Sequence, residues 1–233
     1  MLTRNFAGFL PAGMDFLREL ASNNDPAWFK PRRDEYETQV RAPAVALAAD
    51  VLNLASQAKL PLDGDPAKAV FRIHRDVRFS PDKRPYKAHV GIAFTRSGRK
   101  NDPGILYVHI EPGACFLAAG FYRPEPAALA AIRQRIIADE RSFLAAVKRL
   151  DAAGIPLEPD AGAAKRLPRG CEAVAGRASE AFVKARTLIV RRHVVQRDLA
   201  APAFADAVVA FYREAQPLLA FGWRALGPAG GRG

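Results

Sequence analysis

Apolar residues along the first sixty positions recur near helical spacing. Phe9, Leu10, Met14, Phe16, Leu17 and Leu20 form one stripe, which predicts an amphipathic helix from about Pro11 to the Asn23-Asn24 pair. Asp25 followed by Pro26 is a strong second start: a capping carboxylate, then proline at the first helical position, where the missing N–H costs nothing. Trp28, Phe29, Tyr36 and Val40 make the apolar side of that helix. Pro31 is tolerated in its first turn, and Pro43 is expected to separate it from a helix carrying Val45, Leu47, Val51 and Leu54. After the turn-rich Pro61–Pro66 stretch the period changes from helical to alternating. Strands are predicted at Val70–Phe79, His89–Thr95, Ile105–Glu111 and Cys115–Tyr122, with short links that favour an antiparallel meander. Pro124-Glu-Pro126 opens one long helix with Leu129, Ile132, Ile136, Phe143, Leu144, Val147 and Leu150 on its stripe, ending before Gly154. Residues 154–181 read as irregular, Thr187–Val190 as a possible strand, and Pro202–Phe221 as a final helix. Gly91, Gly104, Gly113 and Gly120 read as glycines of turns and strand ends. The fold class is therefore α+β: an antiparallel sheet of four to six strands, packed by N-terminal, central and C-terminal helices. Residues 1–226 are expected to form a single domain, with a disordered tail at 227–233.

Composition narrows the class. The chain has 233 residues and 49% hydrophobic content, enough for a sizeable core. Its longest apolar run, Ala42–Ala49, is far short of a bilayer span, and Met1–Phe6 does not read as a secretory signal. A cytoplasmic location without membrane association is expected. Two cysteines, Cys115 and Cys171, make no disulfide framework and no C-x-x-C, and are expected to be buried thiols.

The formal charge of +11 is concentrated. Residues 72–100 hold nine Lys/Arg against two acidic residues, and residues 165–197 hold nine against two; the remainder is net acidic. Concentrated positive charge focuses a field on anionic partners; the alternative is a solvated basic face.

Chemistry is densest in Phe71-Arg-Ile-His-Arg-Asp-Val-Arg-Phe-Ser-Pro-Asp-Lys-Arg-Pro-Tyr-Lys-Ala-His89. Arg72, Arg75, Arg78, Lys83, Tyr86 and Lys87 are the candidate ligand-binding residues, with Arg169 approaching from the Leu167-Pro-Arg-Gly170 loop. Arginine forks grip phosphate or carboxylate bidentately, lysine adds a point charge, and Asp76 and Asp82 can hold those cations in fixed rotamers. His74, His89 and Asp76 are the candidate catalytic groups, the imidazoles as general acid or base. The alternative is an internal ion-pair network in which Arg75 pairs with Asp76 or Asp82 and pins the segment to the following turn. Alternation predicts Arg72, His74, Asp76 and Arg78 on one face and Phe71, Ile73, Val77 and Phe79 on the other, with Arg75 breaking the pattern either as a bulge or as a paired arginine.

The segment resembles the signature R-x-x-R-D-x-R-F followed by D-K-x-x-Y of the uncharacterised bacterial and fungal family known as domain of unknown function 2461. Arg72, Arg75, Asp76, Arg78, Phe79, Asp82, Lys83 and Tyr86 occupy its positions. Phe6–Phe9, Asn23–Phe29, Tyr107-Val-His-Ile-Glu-Pro-Gly113, Gly120–Pro124, Ile132-Arg133 and Leu167–Gly170 are similar to family blocks in the family order. The likeness lapses after Gly170, where Cys171-Glu172 stands and no His-Pro pair follows. The resemblance implies a shared fold and site and carries no established activity.

Three functional readings follow. The first is binding of a phosphate-bearing or other anionic small molecule, with an enzyme acting on it left open. The second is a non-catalytic nucleic-acid-binding module, for which Phe79, Tyr86 and Tyr107 are stacking candidates, with no RNA-binding or helix-turn-helix signature beside them. The third is a metal enzyme using His74, His89 and His109 with Glu111 or Asp76; no metal motif accompanies them and the surroundings are basic, so no metal site is expected. No cofactor is expected, because the glycines form no G-x-G-x-x-G or P-loop. The oligomeric state is not legible.

Overall fold

The computed structural model describes residues 4–158, 160 and 162–227. Helix α1, Pro11–Ser22, buries Met14, Phe16, Leu17 and Leu20, as its stripe requires. Asp25 accepts from the Ala27 and Trp28 N–H groups and starts α2, Pro26–Phe29. The chain then stays helical to Gln57. It passes a 3-10 turn at Lys30–Arg32, α3 at Arg33–Tyr36, a π turn at Glu37–Arg41 and α4 at Ala42–Gln57. Pro43 does not break this path. It falls in the first turn of α4, directly after the π turn, where Ala42 N–H reaches back to Glu37 O. Widening the helix by one residue just before a proline accommodates the ring and the missing donor.

After the short α5, Pro66–Ala69, come β1 (Val90–Phe94), β2 (Ile105–Ile110), β3 (Phe116–Phe121) and, much later, β4 (Leu188–His193), which form one open antiparallel sheet in the order β1-β2-β3-β4. Helices α4 and α5 pack on β1. The segment Val70–Phe79 is not the strand its alternation predicts. It makes two isolated bridges with different partners, Val70 with Ile92 and His74 with Tyr86. Phe71 N–H donates to Gly91 O, Lys87 N–H to Ile73 O and Arg75 N–H to Pro85 O. Pro85 has no N–H to return, so a continuous ladder cannot run past Arg75. Beyond that point the chain turns, and Phe79 is 94% exposed instead of packed.

Two glycines expected at turns or strand ends lie within strands. Gly120 in β3 has φ +132°, and a Cβ there would lie 2.2 Å from Leu188 O. A Cβ on Gly91 in β1 would lie 2.7 Å from the Tyr107 hydroxyl. The single long helix expected from Pro126 is two, α6 (Pro126–Ala138) and α7 (Glu140–Ala152). Asp139 adopts φ −139° between them and caps α7 through the Ser142 N–H. A short α8 (Glu180–Lys184) precedes β4, and α9 runs Phe204–Leu226 with Pro217 inside it, five residues beyond the expected end.

The chain divides into two compact units. The first comprises residues up to Phe94, Tyr107–Leu117 and His193–Val209. In its core Phe16 meets Phe29 edge-on and Tyr36 at a tilt, and Asp50, only 3% exposed, accepts from the Asn5 and Phe6 N–H groups. The second comprises Thr95–Leu106, Ala118–Arg192 and the residues from Ala210 onward. Here Phe143 lies between Phe182 and Phe221, and the Trp223 indole donates to Pro103 O. Cys115 and Cys171 are both buried thiols. Among the described residues no helix is long and apolar enough to cross a membrane. The expected tail lies outside the described residues, except for Gly227.

Candidate functional site

Every residue of the cationic segment belongs to the first unit, and both of its carboxylates are held by arginines. Arg75 donates to Asp82 Oδ2 at 2.6 Å and also to Arg84 O. Arg84 grips the same carboxylate from Nε and Nη2, the latter at 2.8 Å. Arg78 is bidentate on Asp76, at 3.0 and 2.7 Å, and its backbone N–H donates to the same group. The two hydrogen-bonded guanidiniums, Arg84 ahead of Arg75, hold the Asp82 carboxyl far below the usual carboxylate range, and Arg78 lowers that of Asp76. Arg75 is thus the paired arginine of the two sequence alternatives. Lys83 donates to Val77 O at 3.0 Å, while Lys87 donates to Arg72 O at 2.8 Å and lies over the Phe71 ring. Arg72 itself is exposed. Six cations in residues 72–87 face two carboxylates, so the segment remains net positive after internal pairing.

Tyr86 is 6% exposed and stacks on Phe29 at 4.3 Å, while Asn24 clasps its backbone through both N–H and C=O. That ring anchors the segment to the helices. The His74 ring lies 5.3 Å from Tyr86, and Asp76 is engaged by Arg78 on both oxygens. Arg169 is exposed in the second unit, next to Gly170 at φ +80°.

A second constellation grows from the alternation of β2. Tyr107, His109 and Glu111 follow one another at two-residue steps, so a strand carries them toward one face. His89, immediately before β1, joins them from the neighbouring strand. His109 bonds Tyr107 through Nδ1 at 3.1 Å and Glu111 through Nε2 at 2.9 Å, and its ring stacks on Phe116 at 4.6 Å. A carboxylate only accepts, so neutral His109 carries its proton on Nε2 and Nδ1 accepts from the Tyr107 O–H. The His89 ring lies 4.5 Å from that of His109. Burial, then electrostatic coupling to the neighbouring His109 imidazole, pushes His89 down to about 4, with Lys87 and Arg75 adding to the effect and Glu111 opposing it. His89 is therefore a neutral imidazole at neutral pH. Burial pushes the Tyr107 hydroxyl up to about 12 and also raises the Cys115 thiol, which donates to Glu111 O. Of the three expected catalytic groups, His89 is the one in this cluster; His74 and Asp76 are engaged elsewhere. The role of Tyr107 as partner of His109 is legible only as strand alternation.

In the second unit a groove of about 470 Å³ is lined by Ser142, Arg149, Arg213, Gln216, Pro217 and Arg224. None of these was a sequence-based candidate: they come from two helices far apart in the chain.

Fold and site together define an α+β protein built on an antiparallel sheet, carrying a cationic surface segment next to a histidine–carboxylate cluster. The chain belongs to the family described as Conserved hypothetical protein (DUF2461), whose model matches residues 12–221. No curated protein and no solved structure matches it.

Proposed function

We propose that the protein binds a phosphate-bearing or other anionic small molecule on the Arg72–Lys87 segment. The observation that carries this reading is the cationic excess: Arg75, Arg78 and Arg84 share the two available carboxylates, while Lys83 is held by a backbone carbonyl. Held cations lose little conformational freedom when a ligand arrives, which is the logic of a preorganised anion site. Arg72, Lys83 and Lys87 are the primary contacts in this reading. Arg75 and Arg78 shape the segment, and Tyr86 anchors it to the core. Calorimetric titration with a panel of nucleotides and sugar phosphates tests it. Saturable binding that falls about tenfold or more in an Arg72→Ala/Lys83→Ala double variant supports the proposal; equal or absent binding in both proteins removes it.

One observation favours a second reading, a nucleic-acid backbone as the anion. Phe79 is 94% exposed beside Arg78, whose guanidinium lies 5.8 Å from the ring centroid, an arrangement suited to stacking a base. Gel shifts across a salt series separate the two. A steep salt slope together with loss of binding in Phe79→Ala supports nucleic acid, whereas binding of the small ligand alone supports the first reading. The compartment proposed is the cytoplasm, consistent with two cysteines present as thiols.

A further inference from the structure

We propose that His89, His109 and Glu111 form a binding site for one divalent transition-metal ion of the zinc class, with a coordination position left open for solvent or ligand. No metal site was expected from the sequence, and these three ligands are separate from the cations of the Arg72–Lys87 segment. One ligand atom from each of the three side chains lies within 4.8 Å of the other two. Ligand atoms on a tetrahedral ion with bonds near 2.1 Å are about 3.4 Å apart, so closure needs each side chain to shift by less than about an ångström. The His109 Nε2 to Glu111 Oε2 distance of 2.9 Å already brings those two within reach of a common ion; the ion would replace the proton between them.

The donor set argues for the class of metal. Two imidazoles and one carboxylate suit a borderline divalent ion, whereas calcium and magnesium prefer an all-oxygen shell. Three protein ligands leave a position vacant, as in sites that act on a bound water or substrate. The surroundings supply what a ligand histidine needs. Tyr107 contacts the opposite ring nitrogen at 3.1 Å, and because a hydroxyl can donate or accept, it can serve Nδ1 both before and after an ion occupies Nε2. Phe116 stacks nearly parallel to the His109 ring, at 16°, and fixes its tilt. Glu111 is 41% exposed and gives the ion a path from solvent. Arg75 and Lys87 act electrostatically on His89 and oppose a dication, but the same positive charge favours an anion in the vacant position.

The test uses the full chain, stripped with a chelator and titrated with Zn(II) against a chromophoric competitor, then with Co(II) read by visible absorption. One equivalent is expected to bind, with the Co(II) bands of a four- or five-coordinate nitrogen and oxygen site. Glu111→Gln and His89→Gln should each weaken binding by about a hundredfold and Tyr107→Phe by about tenfold, while Asp76→Asn should match the parent. Circular dichroism establishes that each variant is folded, and Glu111→Gln, isosteric and partly exposed, is the one least able to disturb the sheet. Parent affinity no tighter than millimolar, or equal uptake by the parent and both ligand variants, overturns the assignment. A sulfur-to-cobalt charge-transfer band also overturns it, since it would give the ion to a cysteine. Because the anion assay reads Arg72 and Lys83, either reading can fail while the other stands.

Discussion

Replacing Gly91 with alanine asks whether the missing side chain in β1 exists to make room for the Tyr107 hydroxyl. A methyl there would sit 2.7 Å from Tyr107 Oη, 3.0 Å from Phe71 Cδ2 and 3.1 Å from Tyr107 Cε2. Ordinary contact begins near 3.4 Å, so the hydroxyl must yield by about 0.7 Å and the carbons by about half that. The backbone of Gly91 needs no left-handed conformation, so the whole effect is steric. Overpacking of this size costs about 1–3 kcal/mol, and disturbing the Tyr107–His109 hydrogen bond adds about 1 kcal/mol. A total of about 2–4 kcal/mol lowers the thermal midpoint of a chain this long by about 4–16 °C. The decisive measurement is the same substitution in a Tyr107→Phe background, with all four proteins unfolded thermally and by urea. Removing the hydroxyl removes the closest contact, so Gly91→Ala should cost about 1 kcal/mol less there. An identical cost in both backgrounds would refute the idea that Gly91 positions Tyr107.

Three further outcomes are expected. Gly120→Ala combines φ +132° with a Cβ only 2.2 Å from Leu188 O, and because both obstacles are backbone it should cost more than about 3 kcal/mol; a loss below about 1 kcal/mol in urea unfolding contradicts the β3–β4 geometry. The Asp82 carboxyl is depressed in the fold, so the order it lends to residues 75–84 should be complete above its unfolded value of about 4 and should fade as pH falls through the lower folded value. An NMR titration that finds Asp82 protonating near 4 rejects the pairing with Arg84 and Arg75. Each unit is assembled from three separate stretches, and β2, β3, β4 and α9 each contribute residues to both, so we expect residues 1–226 to unfold as one domain. Single-tryptophan variants retaining Trp28 or Trp223 report on the first and second units respectively, and two distinct midpoints would oppose that expectation.

What was legible in the chain depended on how local its cause is. Asp25-Pro26 and the α1 stripe act within a few residues, and both elements start where the sequence says. The strand misread at Val70–Phe79 has the right alternation, but a ladder also needs a partner able to donate, and Pro85 removes that donor from another part of the chain. The break at Asp139 was hidden because the apolar stripe runs through it from Ile136 to Phe143; only the spacing of Asp139 to Ser142, a cap to its third residue, hinted at a new start. In the site, the pairing of Arg75 with Asp82 was one of two stated alternatives, since the charges are near neighbours. The meeting of His89 with His109 and Glu111 was only partly legible. Alternation aligns the last two, but it takes the pairing of β1 with β2 to choose His89 over His74.

The double claim on Asp82 has a practical consequence for anyone scanning this surface one residue at a time. With two guanidiniums on a single carboxylate, deleting either leaves a salt link intact, and the turn should keep its shape. Such redundancy makes single alanine replacements at Arg75 or Arg84 look silent. Only removal of both together, or of the acid they share, would expose how much the local architecture relies on them.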